Sequence, residues 1–309
     1  MLRSPILAAA RSPRTRSLVE HLPPTKAIVD RFVAGDVLDD AIRVTTELVE
    51  SGKKVTLDHL GEDTSDAAQA GATVDAYHAL LGTLGETGLA RSAEVSVKLS
   101  AVGQFLPGDG ERIALDNARR ICEAAAAVGT TVTLDMEDHT TTDSTLGILH
   151  QLRDDFPWVG AVLQAYLYRT EQDCRDLSHE GSRVRLCKGA YQEPESVAFQ
   201  DKGDVDRSYV RCLRVLMAGE GYPMVASHDP RLITIARHLA DRAGRAPGTF
   251  EFQMLYGIRP EEQDRIVAHG DLMRIYLPYG AEWYGYFMRR LAERPANLTF
   301  FLRAMATKG

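Results

Sequence analysis

The sequence predicts an α/β protein built as a (β/α)8 barrel. Three observations carry this. Short β-branched runs alternate eight times with longer segments of helical spacing, the count that such a barrel needs. No candidate strand is followed by GxGxxG, so the doubly wound dinucleotide fold, the rival for this rhythm, lacks its fingerprint. Nearly every candidate strand ends in polar or charged residues, and the C-terminal ends of strands are where a barrel keeps its ligand site.

The chain has 309 residues, 44% of them hydrophobic and 26% charged, which excludes disordered, collagen-like and disulfide-scaffold classes. Its net charge of −7 speaks against nucleic acid as a partner and for small molecules. Cys122, Cys174, Cys187 and Cys212 are scattered without a CxxC pairing, as reduced thiols in a cytoplasmic protein would be. The first sixteen residues carry Arg3, Arg11, Arg14 and Arg16 and no acid; the composition is that of a transit peptide, but the short stretch reads better as a docked or frayed terminus.

Helical spacing at 26–33 and 38–51 precedes any strand, so residues 1–50 form an N-terminal helical segment and 51–309 the barrel domain. The strands are expected at 55–60, 94–100, 132–137, 160–165, 183–190, 224–229, 250–255 and 273–280. Between them, 116–128, 144–155, 206–218 and 230–243 have helical spacing, and Pro230 and Pro260 mark helix starts. The polar strand residues are Asp58, Lys98, Asp135, Glu137, Gln164, Arg185, Lys188, Ser227, His228, Asp229, Glu251, Gln253, Arg274 and Tyr276. A closed barrel has no edge to expose them, so such charges must be paired or used.

The segment after the eighth strand places Tyr286, Arg289, Arg290 and Glu293 on one helix face, beside an apolar stripe of Trp283, Phe287 and Leu291. Two adjacent arginines commonly mark a solvated face; flanked by a tyrosine and joined directly to the last strand, they also suit a carboxylate clamp. Asp135, Glu137, Asp138 and His139 form a paper metal cluster, but HxH and HExxH spacings are missing and no metal is expected. GxSxG and the P-loop are missing too. Lys98 and Lys188 leave a Schiff-base aldolase open as an alternative, and a non-catalytic flavin- or carboxylate-binding module is another.

Taken together, LDHLGE (57–62), SVKLS (96–100), LDMED (134–138), LQAYL (163–167), RLCKGAY (185–191), ASHD (226–229), FEFQMLYG (250–257) and YGYFMRRLAE (284–293) resemble the proline dehydrogenase family in its short monofunctional bacterial form, over 55–301. The resemblance implies a distorted (β/α)8 barrel with a final helix over the mouth and FAD held there. It implies oxidation of L-proline to Δ1-pyrroline-5-carboxylate by hydride transfer to flavin N5, with electrons passed to membrane quinone. No extension for an aldehyde-oxidising domain is evident, so the product should pass to a separate pyrroline-5-carboxylate dehydrogenase. Contact with the inner face of the membrane would be peripheral.

Carried over by position, Lys98, Arg289 and Arg290 bind the proline carboxylate, and Tyr276, Tyr286 and Leu255 wall the ring. Asp135 and Arg185 are the catalytic positions, with Arg185 beside the flavin N5. Met136, Gln164, Lys188, Gly189, Ala190, Ser227 and His228 match flavin contacts, and Glu62 matches a gate residue that pairs with Arg289. Gln192 departs from the family's usual aromatic or acidic residue, Ser227 from its threonine and Cys187 from its valine.

Overall fold

The structure, a computed structural model, describes residues 29–61 and 64–293, without the side chains of 289–293. A short strap over 29–35 leads into α1 (Leu38–Glu50). The barrel then runs β1 (Lys54–His59), α2 (Ala67–Glu86), β2 (Ala93–Lys98), α3 (Gly110–Val128), β3 (Val132–Asp135), α4 (Thr142–Arg153), β4 (Gly160–Gln164) and α5 (Thr170–Asp176). It continues with β5 (Arg183–Cys187), α6 (Lys202–Ala218), β6 (Tyr222–Ala226), α7 (Pro230–Arg242), β7 (Glu251–Leu255), α8 (Pro260–Ala268), β8 (Met273–Tyr279) and α9 (Trp283–Glu293). All eight strands are parallel and close in chain order, β8 pairing back onto β1 from Lys54↔Arg274 to His59↔Tyr279.

Alternation along the strands separates two faces. Val55, Leu57, Val95, Val97, Ile275 and Leu277 belong to the main apolar core that the helices share. The alternate residues meet one another across the barrel, and they are mostly polar, among them Thr56, Glu94, Ser96, Arg185, Glu251 and Arg274.

Several strands end earlier than the β-branched runs suggest. β3 stops at Asp135, so Glu137 lies beyond it and its carboxylate accepts from Ser100 Oγ at 2.8 Å. β5 stops at Cys187, and the chain turns away at Gly189, whose φ of 117° is open to glycine and strained for other residues. In both cases the last residues of the run build the mouth instead of the sheet. α2 was not singled out from sequence. Gly71, Gly82 and Gly85 weaken its helical propensity, but Ala70, Val74, Tyr77, Leu81 and Leu84 bury one face and the Asp66 side chain caps it from Gln69 N at 2.9 Å. Of the helix read at 26–33, residues 26–28 lie outside the described residues, as does the arginine-rich stretch before it.

Candidate active site

The barrel interior is held by charges instead of the branched aliphatic layers usual in this architecture. Glu94 on β2 faces Arg183 at 2.5 Å, Arg185 at 3.7 Å and Arg274 at 3.9 Å. Thr56 and Thr131 also donate to it, at 2.9 and 2.7 Å. Burial works against its charge, but the three arginines outweigh that and hold its carboxyl well below the ordinary range. Glu251 on β7 pairs with Arg274 at 2.6 Å, and the same carboxylate accepts from Gln253 Nε2 at 2.6 Å.

One layer nearer the mouth, Arg185 on β5 donates to Asp135 Oδ1 at 2.7 Å, Ser96 Oγ at 3.0 Å and Gln253 Oε1 at 2.6 Å. Its guanidinium also lies 5.2 Å from the centre of the Tyr276 ring. Burial would lower its pKa, yet Asp135 and Glu94 together hold it above the usual arginine value. The other Asp135 oxygen accepts from Tyr276 OH at 2.6 Å. Burial, then the Asp135 and Asp58 carboxylates, push the Tyr276 phenol far above its ordinary value, so it stays a neutral donor.

Lys98 at the end of β2 lies 2.7 Å from Asp58 Oδ2 and 3.8 Å from Asp135 Oδ2. Asp58 is wholly buried and its carboxyl is raised, by burial first and by Asp135 next, against the pull of Lys98. The mouth thus gathers two cations, two carboxylates and a phenol from β1, β2, β3, β5 and β8, an arrangement that can orient an anionic ligand and hold it against a neutral wall.

A second ledge follows along β4 to β6. Lys188 pairs with Asp206 and, at 3.5 Å, with Asp229. Gln164 Nε2 donates to Glu137 O at 2.7 Å, and Tyr166 OH lies 3.2 Å from Gln164 Oε1. A side chain at Gly189 would run into the Tyr166 ring. Ser227 Oγ accepts from Asp229 N at 3.1 Å. His228 Nε2 accepts from Leu255 N at 3.0 Å, which leaves the ring proton of the neutral imidazole on Nδ1. Met136 is buried beside β3 and Ala190 is exposed beyond Gly189.

Tyr286 and half-buried Leu255 share a small separate core with Val29, Phe32 and Val33 of the strap and with Ile258, Phe287 and Trp283. α9 carries Arg289 and Arg290, whose side chains lie outside the described residues; Glu62 does too. Sequence reasoning passed over Glu94, Ser96, Tyr166 and Glu193. Glu94 and Ser96 alternate with Lys98 on β2, so the two-residue period could have placed them on the same inner face. Tyr166 OH also donates to Glu193 at 3.1 Å, and Glu193 holds His139 by both its backbone N–H and its ring. Nothing local in the loop sequence signals this.

Fold and site together define a barrel of the kind enzymes use, with a lysine and a buried acid–arginine–tyrosine cluster gathered at the C-terminal mouth of its strands. A sequence model described as proline dehydrogenase matches residues 41–303. Proline dehydrogenase of Deinococcus radiodurans is 40% identical over 99% of this chain and 98% of its own length. Proline dehydrogenase 2 of Bacillus subtilis is 38% identical over 92% of each chain. A crystal structure of proline utilization A from Bdellovibrio bacteriovorus, inactivated by N-propargylglycine, superposes with a TM-score of 0.79 at 25% identity, over 86% of this chain and 32% of that one. The chain belongs to the proline dehydrogenase family, in the short monofunctional form, and is an oxidoreductase of that family.

The family is flavin-dependent, and the ledge suits such a cofactor. It offers Lys188, a His228 Nδ1–H fixed in its tautomer by Leu255, and a glycine at 189 that lets the chain lie flat against the Tyr166 ring. The Schiff-base alternative gives way to membership of this family, in which Lys98 and Lys188 both pair with carboxylates.

Proposed function

We propose that this protein uses FAD to oxidise L-proline to Δ1-pyrroline-5-carboxylate. The observation that carries the reading is the convergence of Lys98, Asp135, Arg185 and Tyr276 at one barrel mouth in a chain of this family. Lys98, Arg289 and Arg290 bind the substrate carboxylate, while Tyr276, Tyr286 and Leu255 wall the ring. Asp135 holds Arg185 and Tyr276 in fixed positions, so that the ring is oriented before reaction and little ordering remains to be done. Met136, Gln164, Lys188, Gly189, Ala190, Ser227 and His228 hold the cofactor, and Glu62 pairs with Arg289 to close the site. When bound, the flavin supplies the acceptor for the hydride taken from proline. The electrons pass on to membrane quinone and the product to a separate dehydrogenase. The protein acts in the cytoplasm, with peripheral contact at the inner face of the membrane.

Anaerobic titration of the purified protein with L-proline tests the reading. A yellow protein that bleaches with proline is expected; a colourless protein, or a flavin that proline leaves oxidised, overturns it. Acid precipitation should leave the yellow colour in the supernatant, since no attachment motif for a covalent flavin is present.

A further inference from the structure

We propose that Gln253 is a positioning residue for the reaction: it holds the Arg185 guanidinium at the one nitrogen that no carboxylate reaches, and Glu251 and Arg274 hold Gln253. This rests on the reading that Arg185 lies against the flavin. Arg185 Nη1 is taken by Asp135 and Ser96, and Nη2 has no hydrogen-bond partner among the described residues, lying 3.7 Å from Glu94. Nε alone bonds toward β7, to Gln253 Oε1 at 2.6 Å. A guanidinium held only from Nη1 can swing about that bond; a second hold at Nε fixes its plane.

The orientation of the Gln253 amide is itself determined. Glu251 lies 2.6 Å from Gln253 Nε2 and 2.6 Å from Arg274 Nε, and Tyr222 OH donates to it at 3.1 Å. Burial opposes the Glu251 charge, but Arg274 overcomes it and keeps the carboxyl low, so Glu251 can only accept. The amide must therefore turn its NH2 to Glu251 and its oxygen to Arg185. Arg274 is in turn anchored on Val55 O at 3.0 Å. The charged and titratable groups around Gln253 are then Arg185 on β5, Glu251 on β7, Arg274 on β8 and Tyr222 on β6. Glu94 and Arg183 also act on Glu251, and Lys54 feels both Glu251 and Arg274, while Asp135 and Tyr276 meet Arg185 from β3 and β8. The interior charges are thus a backing that runs from the closed end of the barrel to the reacting layer.

Two substitutions test this. Gln253→Met removes both bonds at every pH. Its kcat for proline should fall about ten- to a hundredfold, the scale for a slightly misplaced group, with KM little changed and flavin content kept. Gln253→Glu puts a carboxyl between Arg185 and Glu251. Protonated, it keeps both bonds; ionised, it repels Glu251 and weakens the field of Arg185. The ratio of reduced to oxidised flavin against a reference dye should match the wild type at low pH and fall as pH rises, in a window that the wild type does not show. A merely structural role moves the melting temperature without this titration. Arg185→Met separates the two claims. If it leaves the dye-referenced ratio unchanged, Arg185 is not against the flavin and the underlying reading fails. If it shifts the ratio while both Gln253 variants keep wild-type kcat and pH behaviour, the positioning role alone is overturned. Should Gln253→Glu fail to fold, Gln253→Asn, whose shorter amide cannot span 2.6 Å bonds on both sides, replaces it with the kcat fall as its criterion.

Discussion

At the scale of single residues, the Tyr276 hydroxyl is the most direct to test, because a single atom carries its bond to Asp135. Tyr276→Phe deletes the 2.6 Å bond to Asp135 and leaves the ring wall in place. A hydrogen bond to a charged acceptor contributes about 1.5–3 kcal/mol. At about 1.4 kcal/mol per decade, kcat/KM for proline should fall roughly ten- to a hundredfold; unchanged kinetics would remove Asp135–Tyr276 from the site. Tyr276→Ser should do something different, opening the wall and raising activity on 4-hydroxyproline relative to proline, which competition between the two substrates reads directly. Arg289→Met bears on the carboxylate clamp. Loss of one member of a buried charged pair costs about 2–5 kcal/mol, so kcat/KM should fall by about thirtyfold or more with flavin retained. A solvated arginine would leave KM alone.

At the scale of elements, the informative contact is between the strap and the loop after β7. Gly257 has φ 71° and its Cα faces the Arg31 carbonyl so closely that any side chain would overlap that oxygen. The strap is also tied to β8 by Ala34 N to Pro278 O and by Gly280 N to Gly35 O, both at 2.9 Å. Val29, Phe32 and Val33 then pack with Tyr286 and Phe287 of α9 and with Leu255. Gly257→Ala should push the strap off this small core, at about 1–3 kcal/mol for the strained backbone alone. The expected result is a lower Tm and a raised KM for proline, since α9 loses its footing, with flavin content kept because the ledge on β4 to β6 is not touched. Wild-type KM in a folded Gly257→Ala protein would separate the strap from the site.

For the whole molecule, the charged barrel interior makes stability depend on pH in a definite direction. Glu94 is held below its ordinary value of 4.5 by Arg183, Arg274 and Arg185 against the cost of burial. Its contribution is therefore complete above pH 4.5 and is lost as pH falls through the lower folded-state value. Glu94→Gln leaves three arginines short of an anion, and breaking a buried pair in this way costs about 3–5 kcal/mol near neutrality. Denaturant melts at neutral and acid pH should show the variant far less stable than wild type at pH 7, with the gap narrowing in acid. A constant gap at both would mean that Glu94 acts only through its shape.

Much of this was legible in the sequence, and the reason is periodicity. Eight alternations of strand and helix define the barrel without any long-range information, and α7 and α8 announce themselves through Pro230 and Pro260. Polar positions on strands put Lys98, Asp135, Arg185 and Tyr276 among fourteen candidates, because polar groups buried in a closed barrel need a partner or a use, and the family resemblance then singled them out. Only the tertiary structure decided which of these residues meet. Arg185 and Asp135 are 50 positions apart, Tyr276 and Asp135 are 141, and Arg185 and Gln253 are 68. Strand register and barrel closure set those encounters, and neither leaves a mark in local sequence. For the same reason α2 hid behind its glycines until its buried face was seen, and Glu193 gave no sign of holding His139 and Tyr166. Local patterns specify which elements form and which face each residue takes; the chemistry depends on distances between strands, which closure of the barrel alone determines.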